Sequence, residues 1–296
     1  KGKDTMTTGP GRASASSTAM RIELDTVSIG YGATTVIDNI DVVVEPGEIV
    51  VLTGPSGCGK STLLRAITGL SPVSGGDIIA DGEVVTGPSR DRAMVFQDDA
   101  LHPWRTVRKN ILLALRLRGV PRAERRAEAD RWIAEIGLTG FADYLPKSLS
   151  GGMRQRVQLA RGLAGAPRAI MMDEPFGALD AQTRHTMQTL LIDTLARHSA
   201  TVVFVTHDVD EALLLGDRVI VLGRAGAPVQ AVIDIPNPRA PHSRSVAVTD
   251  GLRRRITDAL GPPPTIAGGT RPPGPTPGAQ ATSPDETTLH SQGTNA

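Results

Sequence analysis

Apolar and polar residues alternate through Val36-Ile37-Asp38-Asn39-Ile40-Asp41-Val42, the period of a strand with one buried face. The spacing predicts antiparallel strands across residues 21–44. Ile78-Ile79, Val84-Val85 and Met94-Val95-Phe96, punctuated by Asp81-Gly82 and Gly87-Pro88, are expected to continue that sheet. Three runs lack polar interruption: Ile49-Val50-Val51-Leu52, Ala169-Ile170-Met171-Met172 and Val202-Val203-Phe204-Val205. Such runs suit strands covered on both faces. Residues 108–117 and 123–136 carry helical spacing instead, with Pro121 near the second start and Trp132, Ile133 and Ile136 as an apolar stripe among charges. Core packing is the expected role of that stripe.

The ends read differently. Residues 1–20 are rich in Gly, Ser, Thr and Ala without periodicity, and from Gly261 the composition turns to Pro, Gly and Thr. Such segments bury too little apolar surface to offset their ordering entropy, so 1–20 and 261–296 are expected to be disordered extensions of a domain at 21–260.

Between the run ending at Leu52 and the helix-like Leu63-Leu64-Arg65-Ala66-Ile67 lies Gly54-Pro55-Ser56-Gly57-Cys58-Gly59-Lys60-Ser61-Thr62. Strand, glycine-rich loop and helix make a phosphate-binding loop, whose backbone N–H groups close around phosphate oxygens at a helix N-terminus. Lys60 supplies a point charge for the β and γ phosphates, and Ser61 is expected to hold Mg2+. A bland glycine turn leaves Lys60-Ser61 unexplained. Cys58, beside Lys60 and near the helix start, is expected to favour thiolate and to alkylate unless bound nucleotide shields it.

Composition narrows the classes. The net charge of +1 argues against a nucleic-acid stripe, and one cysteine allows no intramolecular disulfide. No apolar run reaches membrane-spanning length, and the amino terminus lacks the apolar core of a secretory signal.

A second motif decides among nucleotide enzymes. Ser150-Gly151-Gly152 precedes the helix-like Arg154-Gln155-Arg156-Val157-Gln158-Leu159-Ala160-Arg161, with Ser150 placed to cap it. Together with the loop, this motif resembles the signature of ATP-binding cassette (ABC) ATPases. The resemblance implies an α/β P-loop NTPase fold with an antiparallel β subdomain and a helical subdomain at roughly 98–160. It also implies roles by position. Asp173 binds Mg2+ through water, Glu174 is the general base, and Asp180 is the acid of the loop through which paired cassettes communicate. His207 contacts the γ-phosphate, while Gln97 senses Mg2+ and attacking water and links to the membrane partner. Tyr31 lies between Gly30 and Gly32, where the family places an aromatic on adenine, and aromatics are only 3% of the chain. Two chains meet head to tail in this family, so Ser150, Gly151 and Gly152 of one cover the ATP held by Lys60 of the other.

Finer motifs narrow the group. Leu101-His102-Pro103-Trp104, Met153-Arg154-Gln155-Arg156-Val157, the segment Asp173 to Arg184, and Ile235-Pro236-Asn237-Pro238-Arg239 are similar to the nitrate, sulfonate and taurine importers. His102 departs from the leucine common there. This resemblance implies integral membrane permease subunits on separate chains, a solute-binding protein reached through the complex, and a peripheral place on the cytoplasmic face of the cell membrane. Two alternatives stay open: a non-transport ABC ATPase acting on a macromolecular partner, and the ATPase of an exporter. The sequence lacks the coiled-coil heptads or cysteine clusters that DNA-repair relatives insert.

Overall fold

A computed structural model describes residues 19–32, 34–97, 100–239 and 245–261, with the side chain of Tyr31 outside the description. The expected extensions at 1–18 and 262–296 lie outside the described residues. In chain order the first half comprises β1 (Ile22–Tyr31), β2 (Thr34–Val44), β3 (Ile49–Thr53), α1 (Lys60–Ile67), β4 (Gly75–Ala80), β5 (Glu83–Val84), β6 (Arg92–Val95), α2 (Val107–Arg118) and α3 (Arg125–Glu135). The second half comprises α4 (Gly151–Ala164), β7 (Ala169–Asp173), α5 (Ala181–Arg197), β8 (Thr201–Val205), α6 (Val209–Leu215), β9 (Arg218–Leu222), β10 (Val229–Asp234) and α7 (Val246–Leu260).

The three uninterrupted apolar runs become β3, β7 and β8, parallel members of a six-stranded sheet ordered β10-β9-β3-β8-β7-β6. Side chains along each strand point to opposite faces in turn, and both faces are covered. Val50 and Leu52 of β3, with Val203 and Val205 of β8, join one core that contains α1 and the four-stranded antiparallel sheet β2-β1-β4-β5. Their neighbours Ile49, Val51, Val202 and Phe204 join a second core made with α2 to α6. Polar residues have no place in these runs, which is why they read as continuous.

The alternating segment pairs as expected: β1 and β2 run antiparallel, with Ile22 opposite Val44 and Ile29 opposite Ile37. Met94-Val95-Phe96 does not continue that sheet. Its strand, β6, runs parallel to β7, with Val95 level with Met172. A short apolar run is compatible with either sheet, and its partner lies in a distant part of the chain that local spacing does not encode. Ala19 and Met20 also depart from the expected extension. Both are buried; the Met20 N–H donates to the Arg168 carbonyl at 3.1 Å, and the Thr201 hydroxyl donates to the Met20 carbonyl at 2.5 Å.

The expected helices form with small shifts of boundary. Thr106 caps α2 by accepting from the Lys109 N–H at 3.2 Å, and Gly119 ends it at φ 93°, a conformation glycine adopts without Cβ strain. Ala129, Trp132 and Ile133 of α3 are buried, so the apolar stripe is core. Among the described residues, no helix is long and apolar enough to cross a membrane.

Candidate functional site

The loop between β3 and α1 is shaped by glycines at two tight places. At Gly54 (φ 154°) a Cβ would lie 2.8 Å from the Leu222 carbonyl oxygen, and at Gly59 (φ 101°) it would lie 2.7 Å from Ile37 Cδ1. No side chain caps α1, so its first N–H groups remain available to an anion. Lys60 is buried to 8% exposure, and its ammonium donates to the carbonyl oxygens of Gly54 at 2.8 Å and Pro55 at 3.0 Å. A desolvated cation at the uncapped N-terminus of a helix suits phosphate oxygens. Ser56, Gly57 and Ser61 are exposed on the same loop, with Thr62 half-buried behind them.

Cys58 points the other way. It is 2% exposed, packed in the core between the two sheets, with Sγ 3.7 Å from the Lys60 ammonium. The expectation of an accessible thiol is corrected: the turn aims this side chain beneath the loop, into the core.

Parallel register gathers the remaining groups at one sheet edge. Leu52 is level with Val205, and Val205 with Asp173, so the C-terminal ends of β3, β8 and β7 deliver the loop, His207 and the two acids side by side. The Ser61 hydroxyl donates to Asp173 Oδ1 at 2.9 Å. Burial raises the affinity of Asp173 for its proton, and the charge of Glu174 adds to this; the Ser61 hydrogen bond, Arg65 and Lys60 oppose it. Glu174 sits at φ 42°, a strained conformation for a side chain with a Cβ, and its N–H donates to the Val205 carbonyl at 3.1 Å. Its Oε2 lies 3.2 Å from His207 Nδ1. That turn separates the carboxylates, aiming Asp173 at Ser61 and Glu174 at the histidine. Gln97 is exposed just past β6, the strand beside β7.

The second motif starts α4 as a capped turn: Ser150 Oγ accepts from the Met153 N–H at 3.3 Å. Asp180 caps α5, accepting from the Thr183 N–H at 3.0 Å and the Thr183 hydroxyl at 2.7 Å, bonds that lower its pKa. The two turns touch. A Cβ on Gly152 would lie 2.6 Å from Thr183 Cγ2, so glycine there permits the approach. Gly151 opens the helix beside it. Tyr31 ends β1, its backbone level with Thr34; its expected stacking face lies outside the described part of the structure.

Two residues escape sequence reading. Arg184 donates to Asp208 Oδ2 at 3.1 Å and to the Leu179 carbonyl at 3.1 Å, tying the segment after Glu174 to the residue after His207. Glu211, 5% exposed, accepts from Gln188 Nε2 at 2.9 Å, and burial pushes its pKa up against the hydrogen bonds from Thr206 and Gln188. Arg184 closes the segment that resembles the importers and Glu211 lies in no motif; the contacts of both with distant residues come only from the packing of α5 on α6.

Comparison with known proteins agrees with this geometry. Residues 37–177 match the ABC transporter family. A putative ATP-binding protein of Brucella abortus (strain 2308) is 45% identical over 242 residues, covering 81% of this chain and 93% of that one. The aliphatic sulfonates import ATP-binding protein SsuB 2 of Burkholderia cenocepacia (strain HI2424) is 44% identical over 234 residues, covering 78% and 83%. The nitrate import ATP-binding protein NrtD of Synechocystis sp. (strain PCC 6803) is 45% identical over 217 residues, covering 73% and 82%. Among solved structures, the dimeric post-hydrolysis state of the ATP-binding cassette MJ0796 bound to ADP and Pi matches with a TM-score of 0.65 and 31% identity, over 73% of this chain and 99% of that one. With a lysine-bearing phosphate loop facing paired carboxylates and a histidine on that fold, the chain belongs to the ABC transporter family of ATP-binding cassettes, and it binds and hydrolyses ATP.

Proposed function

We propose that this chain is the ATP-hydrolysing subunit of an importer for a small solute of the nitrate, sulfonate or taurine kind, working as a homodimer on a separate membrane permease. Its domain is residues 19–261, since Ala19 and Met20 are packed into it. A solute-binding protein delivers the cargo, and the permease holds the ATPase at the cytoplasmic face of the membrane. The observation that carries the hydrolytic part of the reading is the pairing of Ser61 with Asp173 and of Glu174 with His207 beside the Lys60 loop. The likeness to sulfonate and nitrate import proteins over most of the chain supports the cargo class.

The residues fit Mg2+. Ser61 and Asp173 place a hydroxyl and a carboxylate 2.9 Å apart next to Lys60, and a hard cation that keeps several waters suits a few oxygen ligands. Ser61 would hold it directly, Asp173 through water, and Gln97 from the β6 end. Held there, Mg2+ would supply charge neutralisation to the phosphates.

Lys60 and the N–H groups of residues 54–62 bind and orient the triphosphate, and Tyr31 stacks on adenine. Glu174 holds the attacking water and accepts its proton as the water oxygen bonds to the γ-phosphorus and the bond from that phosphorus to the β-phosphate oxygen breaks. His207 orients Glu174 and the γ-phosphate. Ser150, Gly151 and Gly152 of the partner subunit close over the nucleotide, and Asp180 lies at the seam. Closure excludes water and fixes donors where charge develops, and release after hydrolysis returns the pair to its open form.

Mixing mutant subunits tests the arrangement. Lys60→Ala loses nucleotide binding or hydrolysis, and Ser150→Arg binds ATP yet does not close. A mixed dimer holds one site with both groups intact, so ATP-induced heterodimers and partial turnover are expected. Heterodimers that never form refute the head-to-tail reading. In vesicles carrying the permease and the solute-binding protein, ATP-dependent uptake of nitrate, taurine or an alkanesulfonate is expected; efflux of the cargo overturns the importer reading.

A further inference from the structure

The helix that begins with the second motif also grips the segment that carries Gln97. Gln158, seven residues beyond Gly151 and 1% exposed, donates from Nε2 to the Phe96 carbonyl at 2.8 Å. Arg161, one turn further along the same face, donates to the Ala100 carbonyl at 2.9 Å. Both flanks of Gln97 thus hang from one face of α4. Behind them α4 lies hard against β6: a Cβ on Gly162 would meet Val95 Cγ2 at 3.3 Å. The far end of the segment is tied to α2, where fully buried Asn110 accepts from the His102 N–H at 2.9 Å and donates to the carbonyls of Arg105 and Thr106.

We infer that Gln158 is a positioning residue that makes Gln97 move with the Ser150 end of α4, so that engagement of that helix end sets Gln97 relative to Glu174. The inference rests on the proposed reading, which gives Gln97 a part in hydrolysis. Two features make Gln158 the joint. A buried amide has no water to replace its bond, and the acceptor is the peptide oxygen immediately before Gln97, at the point where β6 ends. Arg161 makes its bond to the Ala100 carbonyl at an exposed site, where water can exchange with it. Rotation of α4 about its axis therefore drags the Phe96 peptide, while β6 behind it stays paired to β7.

A double-mutant cycle on the full-length protein tests this. Gln158→Met fills a similar volume and removes the donor. It is expected to lower kcat about tenfold at unchanged KM, inside the ~10²-fold that a misplacement of about 1 Å costs oriented catalysis. In a Gln97→Ala background the same substitution should change kcat by less than about twofold, because the group it positions is gone. An equal fall in both backgrounds means that Gln158 serves only the packing of α4 and overturns the inference. Gln158→Glu, protonated at low pH and able to donate again, should regain activity as pH falls relative to Gln158→Met; identical pH profiles also overturn it. Should Gln97→Ala alone leave kcat intact, the role of Gln97 falls first, and the inference with it. Melting temperatures of each variant separate misfolding from loss of positioning.

Discussion

Replacing Glu174 by glutamine separates proton transfer from everything else that residue does. Glutamine keeps the same Cβ, so the strain at φ 42° and the bond from its N–H to the Val205 carbonyl persist. The amide can also keep a hydrogen bond to His207 Nδ1 across the present 3.2 Å, in whichever sense the tautomer allows. A hydrogen bond of this kind is worth about 0.5–1.5 kcal/mol, so even complete loss of the pair's alignment lowers turnover by roughly tenfold. Loss of a general base removes about 10²–10⁴-fold, or about 3–5 kcal/mol. The two ranges do not overlap, and the size of the defect therefore identifies its cause. Phosphate release by the purified variant should fall more than about a hundredfold with KM for ATP unchanged. ATP-dependent dimers should accumulate on a sizing column, since no phosphate contact is touched. A decrease of tenfold or less, matched by His207→Ala, means that Glu174 only orients its neighbour and removes it from the role of base.

Three further outcomes follow from burial and composition. Cys58 should react with maleimide far more slowly than an exposed thiol, with or without MgATP, because it is 2% exposed beneath the loop; fast labelling of the native protein by mass spectrometry contradicts that packing. Burial holds the Glu211 pKa above its unfolded value, so the folded state binds more protons and stability falls as pH rises from the unfolded carboxylate value through the folded one. Glu211→Gln keeps the hydrogen-bonding shape and should flatten that fall, raising the melting temperature at neutral pH but not in acid; a parallel shift at all pH values refutes the assignment. Deleting residues 262–296 should leave melting temperature and ATPase activity nearly unchanged, since Gly261 already closes α7 and the removed stretch is Pro, Gly and Thr rich; lost hydrolysis shows that the tail takes part.

The phosphate loop and the sheet it serves were legible because their chemistry is local. A strand buried on both faces must be apolar at every position, and a loop that wraps phosphate needs glycine where a Cβ would strike Leu222 or Ile37. What joined distant segments was not legible. Met94-Val95-Phe96 carries no mark of the sheet it enters, and the amphipathic α7 went unread as a helix, its buried side being only Leu252 and Ile256. Cys58 failed for a related reason: sequence places it beside Lys60, but the direction of its side chain depends on the turn between Gly57 and Gly59.

The same distinction explains why the candidate site divides as it does. Residues proposed to touch phosphate or water sit in short motifs, because one turn of chain can present them. What holds those motifs in register is contact between distant segments: Arg184 spans from α5 to Asp208 and Leu179, and Gln158 spans from α4 to Phe96. Each satisfies a peptide carbonyl at the end of a strand or turn, where the backbone ladder has stopped and a side chain must take over. In the proposed homodimer such links would tie the two sites together. The motif at Ser150 and the acids at the sheet edge belong to different elements, and only through α4, β6 and α5 does a change at one reach the other within a single chain.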